Sequence, residues 1–288
     1  MKDVWVRFWP AMLSFAVLFT ILRVGVTLFV PAMIVLTLFA LREYVEMVRA
    51  RDIDVRMGSQ MFFAVALMLA SVLPLEGARW WNPIPPWPGG SWREVVLGVY
   101  VVYLLIVEIV QPGERPLERI VYSVFGMLYL PWLLGYFILL RQMPNEAQGF
   151  GYLLLPLMAS FATDTGGFFF GRFFGRRKLA PEVSPGKTVE GAFGGFVLSF
   201  IFTFAVGYYL EQEGLIRGLT VLDALLFSLL VSSAAQLGDL AESLIKRSLG
   251  TKDSGRFLPG HGGLLDRLDS LLFSVPITYF FLTLVILR

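Results

Sequence analysis

Cysteine is absent from the 288 residues, which excludes a disulfide framework, a thiolate metal site and a cysteine nucleophile. Charge is scarce too. Asp, Glu, Lys and Arg make up 16% of the chain, well below the quarter or so found in soluble globular domains. The net charge of +2 points to no nucleic-acid partner for the chain as a whole. Histidine occurs once, at His261. What fills the space is hydrocarbon: 56% of the residues are hydrophobic, and the chain reads as an all-α integral membrane protein.

Crossing a hydrocarbon layer of about 30 Å takes roughly 20 helical residues, and apolar stretches of about that length recur throughout. Nine candidate spans are read at 8–22, 24–41, 60–75, 95–111, 119–140, 151–171, 190–210, 222–245 and 265–287. Arg23 and Gly25 divide the first two, which form either a hairpin or one kinked helix. The basic, apolar N-terminus has the start of a signal peptide but no small-residue cleavage pattern, so it is expected to be a retained first span. No internal repeat and no soluble insertion is visible.

With nine spans and a cytoplasmic N-terminus, 18 of the 24 Lys and Arg fall on the cytoplasmic side, as the positive-inside rule expects. The outer face then carries "RWWNPIPPWPGGSW" (79–92), whose Trp and Pro content suits an irregular cap at headgroup level. The expected location is the inner cell membrane, multi-pass.

Intramembrane carboxylates are costly and functional by default, and they concentrate in one half. Residues 1–145 read as a scaffold in which Glu108 is the main ionisable group, and 146–288 as the catalytic half. There Asp164, Glu190, Asp239, Glu242, Asp266 and Asp269 lie at or within spans. Asp239, Glu242, Ser243 and Lys246 follow i, i+3, i+4, i+7 spacing and share one helix face. Asp266 and Asp269 open the last span at i, i+3, where a helix N-terminus tolerates anions. Two helices of one hairpin thus aim carboxylates at each other, an oxygen-ligand pattern suited to Mg²⁺, which takes one or two carboxylates plus substrate phosphates. A buried salt-bridge network with Lys246, Arg247 and Arg267 is the alternative. The connecting loop adds Lys252, Arg256 and several glycines whose backbone N–H groups can approach phosphate. His261 orients a phosphate or the loop, or is simply structural.

The other polar hairpin, between the sixth and seventh spans, carries Arg172, Arg176, Arg177, Lys178 and Lys187. Its "PGKT" (185–188) is not a Walker loop, because Pro181 stands where that pattern needs glycine. The stretch from Arg172 to Lys178 is either a phosphate site or a basic patch for anionic lipid, whereas Lys187 and Thr188 look like placed ligands. Phosphate-rich substrate, met with metal at the membrane surface, accounts for both hairpins.

From Ser243 through Lys246-Arg247, Lys252-Asp253, Gly255, Pro259, His261-Gly262-Gly263 and Asp266-Arg267 to Asp269, the chain strongly resembles the phosphatidate cytidylyltransferases (CDP-diacylglycerol synthases). The block from Asp164 to "SPGKTVEG" looks like that family's second polar segment. The resemblance implies the reaction of CTP with phosphatidate to CDP-diacylglycerol and pyrophosphate in phospholipid biosynthesis. It implies Mg²⁺, with a second cation as a candidate, held by Asp239, Asp266 and Asp269. The expected catalytic residues are Asp239, Asp266, Asp269 and Lys246. Lys187, Lys252, Arg256, His261, Arg267, Ser243 and Asp164 are the expected substrate contacts. CTP, phosphatidate and bilayer lipid are the expected partners, with no nucleic acid and with a second copy of the chain as a candidate. A phosphate nucleophile is already ionised, so positioning and charge neutralisation suffice. A CTP-dependent lipid kinase is the alternative reading, but alcohol attack calls for a general base. A transporter would spread polar residues to both surfaces and show repeats.

Overall fold

The computed structural model describes residues 23, 25–72, 91–255 and 263–287. Among the described residues nine α-helices appear in chain order: α1 (Val26–Arg49), α2 (Met57–Leu69), α3 (Trp92–Val110), α4 (Pro116–Met127), α5 (Leu133–Arg141), α6 (Glu146–Phe174), α7 (Val189–Gln212), α8 (Val221–Ser248) and α9 (Leu265–Phe281). A π-helical turn, Leu128–Trp132, joins α4 to α5 around Pro131, so Pro116–Arg141 runs as one rod. Among the described residues six rods are long and apolar enough to cross a membrane: Val26–Arg49, Pro116–Arg141, Glu146–Phe174, Val189–Gln212, Val221–Ser248 and Leu265–Ile286. The protein is a multi-pass helical membrane protein.

Against the nine expected spans, the second and the fifth to ninth correspond to these six rods. The third is shorter, at 13 residues. The fourth is helical over 19 residues, with Arg93, Glu94 and Glu108 breaking its apolar run. The first lies outside the described residues, as does most of the Trp- and Pro-rich stretch at 79–92.

Helix starts are written locally. Asn145 accepts from Gln148 N at 3.0 Å to cap α6, and Thr188 accepts from Gly191 N at 3.1 Å to cap α7. Thr220 and Asp223 form a reciprocal capping box on α8; such caps satisfy backbone donors that have no intrahelical partner.

Small residues set how closely the second-half helices approach. A Cβ on Gly166 would meet Gly194 O at 2.5 Å, one on Gly191 would meet Gly167 O at 2.8 Å, and one on Gly195 would meet Thr163 O at 2.8 Å. Only glycine permits this α6–α7 seam, the small-residue packing expected where apolar transfer cannot drive helices together. The hydroxyls of Ser160 on α6 and Ser274 on α9 bond at 2.9 Å, adding a polar tie of the kind membrane bundles use.

One departure from an all-helical chain occurs among the described residues. Strands β1 (Lys178–Ala180) and β2 (Ser184–Thr188) pair antiparallel, Lys178 opposite Thr188 and Ala180 opposite Ser184. Pro181, Pro185 and Gly186 keep this connection from continuing as helix, and Glu190 fastens its base by accepting from Arg176 N and Arg177 N at 3.0 and 3.2 Å.

The first 145 residues touch the rest of the chain near the end of α8. Arg51 Nε donates to Leu249 O at 2.9 Å, Arg115 to Asp52 O at 3.2 Å and Arg56 to Gln111 Oε1 at 3.1 Å. The turns after α1, α3 and α8 therefore meet at one end of the bundle. Glu108 is buried against Arg119 at 3.3 Å, a pair that neutralises both charges within the scaffold.

Candidate active site

Two charge clusters sit near the end of α8 and the start of α9. The first gathers side chains from four elements: Asp164 on α6, Lys187 on β2, Asp239 on α8 and Asp269 on α9. Lys187 forms an ion pair with Asp239 and also faces Asp164 and Asp269. Burial works to lower the Lys187 ammonium, but Asp239 and then Asp164 and Asp269 outweigh it and hold the group above its ordinary value. Asp269 accepts from Ser270 N at 2.6 Å and Ser270 Oγ at 3.3 Å. Three carboxylates thus face one ammonium.

Gly238 makes this convergence possible. A Cβ there would come within 3.0 Å of the Asp269 carbonyl oxygen, so the residue beside Asp239 has to lack a side chain for α8 and α9 to meet at this height.

Beside the cluster opens a cavity of about 540 Å³ lined by Asp164, Phe168, Arg172, Leu179, Lys187 and Gln236, among others. Its rim is mixed: Phe168 and Leu179 are exposed apolar groups, while Arg172 and Lys187 bring positive charge. Gln236 Nε2 donates to Ala192 O at 3.3 Å and Ser232 Oγ at 3.2 Å, which ties α8 to α7 at the cavity wall.

The second cluster lies one turn along α8. Lys246 Nζ bonds Glu242 Oε2 and Asp266 Oδ1, each at 2.5 Å. The other oxygen of Asp266 accepts from Gly263 N at 2.9 Å and Ser254 Oγ at 3.0 Å. Glu43 of α1 joins them, accepting from Leu264 N and Leu265 N at 3.0 Å each.

Each expected site residue can now be placed. Asp164, Lys187, Asp239 and Asp269 come together. Asp266 and Lys246 belong to the neighbouring cluster, so the helix face expected to present Asp239, Glu242, Ser243 and Lys246 as a unit divides its acids between two groups. Ser243 is half-buried on the same helix, and Lys252 and Arg267 are exposed at the two ends of the connecting loop. Arg256 and His261 lie outside the described residues. Sequence reasoning missed Glu43, Ser254, Ser270 and Gln236. Only Gln236 left a signal, standing three residues before Asp239 on the helix.

Among the described residues no group of three or more acidic or histidine side chains is placed to hold a metal ion by itself.

The sequence profile of the cytidylyltransferase family matches residues 5–285. The phosphatidate cytidylyltransferase of Staphylococcus haemolyticus is 31% identical over 272 residues, 94% of this chain and 96% of that protein. That of Bacillus subtilis is 37% identical over 184 residues, 64% of this chain and 66% of that protein. An Escherichia coli protein named YnbB, uncharacterised, is 41% identical over 162 residues, 56% of this chain and 50% of that protein.

Proposed function

The chain belongs to the cytidylyltransferase family, and from that premise we infer that it is a phosphatidate cytidylyltransferase, transferring the cytidylyl group of CTP to phosphatidate. One observation carries the reading beyond family membership: Asp164 and Lys187 line a cavity whose rim is part apolar and part basic, and Asp239 and Asp269 face Lys187 beside it. A water-borne triphosphate and a bilayer-borne lipid phosphate both have a route to such a place.

In the reaction, a phosphate oxygen of phosphatidate bonds to the α-phosphorus of CTP. The bond from that phosphorus to the bridging oxygen of the β-phosphate breaks, and pyrophosphate leaves with the electron pair. No proton has to be removed from the nucleophile. Lys187 offsets charge on the triphosphate when it exchanges Asp239 for phosphate oxygens, and Arg172 at the cavity rim attracts the lipid phosphate. Lys252 and Arg256 act on the nucleotide from the loop, His261 orients that loop, and Ser243 and Arg267 complete the phosphate contacts.

Asp239 and Asp269 would hold Mg²⁺. Asp266 joins them only by giving up Lys246 or its loop donors, and a second cation, if used, draws on the same acids. When bound, the ion neutralises charge developing on the phosphates. Lys246 bridges Glu242 and Asp266.

The same reading places the protein in a bacterial inner membrane with nine spans, the N-terminus and both polar hairpins cytoplasmic. A homodimer is compatible with it and nucleic acid has no part.

Product analysis tests it. With CTP labelled on the α-phosphate, purified protein and phosphatidate in detergent should move label into lipid and release pyrophosphate, dependent on Mg²⁺. Transfer of γ-label to lipid with release of CDP would establish the kinase reading instead.

A further inference from the structure

Helix α9, which carries Asp266 and Asp269, begins at a residue whose side chain makes no capping hydrogen bond. Its cap residue is Leu264, followed by Leu265, and neither supplies a side-chain acceptor. The first N–H groups of a helix need acceptors when buried, and here both come from Glu43, more than two hundred residues earlier. Oε1 takes Leu264 N and Oε2 takes Leu265 N, each at 3.0 Å. Glu43 Oε2 also accepts from Ser254 Oγ at 3.3 Å, at the other end of the connecting loop. Glu43 is 7% exposed.

Two glycines of the signature seat directly on this carboxylate. A Cβ on Gly255 would lie 2.6 Å from Glu43 Oε1, and one on Gly263, which would strike Ser254 Oγ and Gly255 N first, would lie 2.8 Å from Glu43 Oε2. Both distances are far inside van der Waals contact. These positions read in the sequence as room for phosphate; in the fold, the room is taken by Glu43. Asp266 closes the same ring from the catalytic half through Ser254 and Gly263.

We propose that Glu43 is a positioning residue of the cytidylyl transfer: it clasps both ends of the signature loop and sets the start of α9, and thereby aims Asp266 and Asp269. This rests on the reading of the chain as a phosphatidate cytidylyltransferase. In this role Glu43 acts through the loop and the start of α9 rather than on the reacting atoms. Its loss should lower turnover with little change in the apparent affinity for either substrate, because the groups it orders serve the transition state.

The test uses the full chain in detergent and two variants, Glu43→Gln and Gly255→Ala, with two readouts. The first is hydrogen exchange of the segment 254–266. Removing a charged acceptor from buried N–H groups should raise exchange there by on the order of tenfold or more. The second is steady-state kinetics, where kcat should fall about tenfold or more while both KM values stay within about threefold. Glu43→Asp, which keeps the anion on a shorter arm, should recover part of the kcat.

Exchange at 254–266 equal to wild type in Glu43→Gln would overturn the clasp. Turnover per folded molecule near wild type would overturn the positioning role, whatever the melting temperature did. Should Glu43→Gln not fold, Gly255→Ala decides alone, since it keeps the carboxylate and the nearest atoms its Cβ meets all belong to Glu43; wild-type exchange and kcat in that variant would refute the proposal. Failure of wild-type protein to make lipid product from CTP would sink the functional reading, and the exchange data would still judge the clasp.

Discussion

Gly238→Ala is a one-carbon perturbation aimed at the contact between α8 and α9. The added Cβ would come within 3.0 Å of the Asp269 carbonyl oxygen, a backbone atom that cannot swing aside as a side-chain tip does. Restoring ordinary contact of about 3.5 Å or more requires the helices to part by roughly half an ångström to an ångström. Overpacking of this kind costs about 1–3 kcal/mol. The functional consequence is larger, because the parted backbone units carry Asp239 and Asp269, and a misplacement of about 1 Å is enough for a loss near 100-fold in rate. Turnover of α-labelled CTP per folded molecule, read beside melting in detergent, checks it. Gly98→Ala is the control, since nothing lies within 4 Å of a Cβ there, and it should melt no lower than wild type. More than half of wild-type turnover in Gly238→Ala with an unchanged melting temperature would show that the close approach does not set the geometry of the two acids.

Asp239→Asn and Asp269→Asn change charge and little volume, so each should fold while turnover falls by orders of magnitude and Mn²⁺ binding, followed by electron paramagnetic resonance, weakens. Lys246→Met leaves Glu242 and Asp266 facing each other without a cation, and a loss of about 3–5 kcal/mol is expected from denaturant titration, as for breaking any buried ion pair; Lys246→Met with Glu242→Gln should restore part of it. Lys187 sits above its ordinary value because Asp239 overcomes its burial, so the stability it contributes is complete below the ordinary lysine value of 10.5 and is lost as pH rises through the higher folded-state value. Melting of Lys187→Met should therefore differ from wild type by a constant amount from neutral pH up to that limit and converge only beyond it. In kinetics the same variant should raise the CTP requirement more than the phosphatidate requirement.

Hydropathy alone determined the class of the molecule, because hydrocarbon length and scarcity of charge follow directly from composition. Part of the candidate site was legible for the same reason: carboxylates such as Asp164 and Asp239 stand out against an apolar helix, and Lys187 stands out between Pro185-Gly186 and a helix start. Helical spacing put Asp239, Glu242 and Lys246 on one face but left open which partner each would choose. That was settled by the other elements: Lys187 reaches Asp239 from β2, while Lys246 takes Glu242 and Asp266. Spacing along one helix fixes direction within roughly a turn, whereas pairing depends on what a neighbouring helix presents at that height. Glu43 marks the limit most clearly. In sequence it is one acid in the charged end of an apolar helix, ordinary beside Arg42 and Glu46, which pair with each other at the surface. Only the packing of α1 against the start of α9 turns it into the acceptor for Leu264 and Leu265, because a contact across more than two hundred residues leaves no period in the chain to be read.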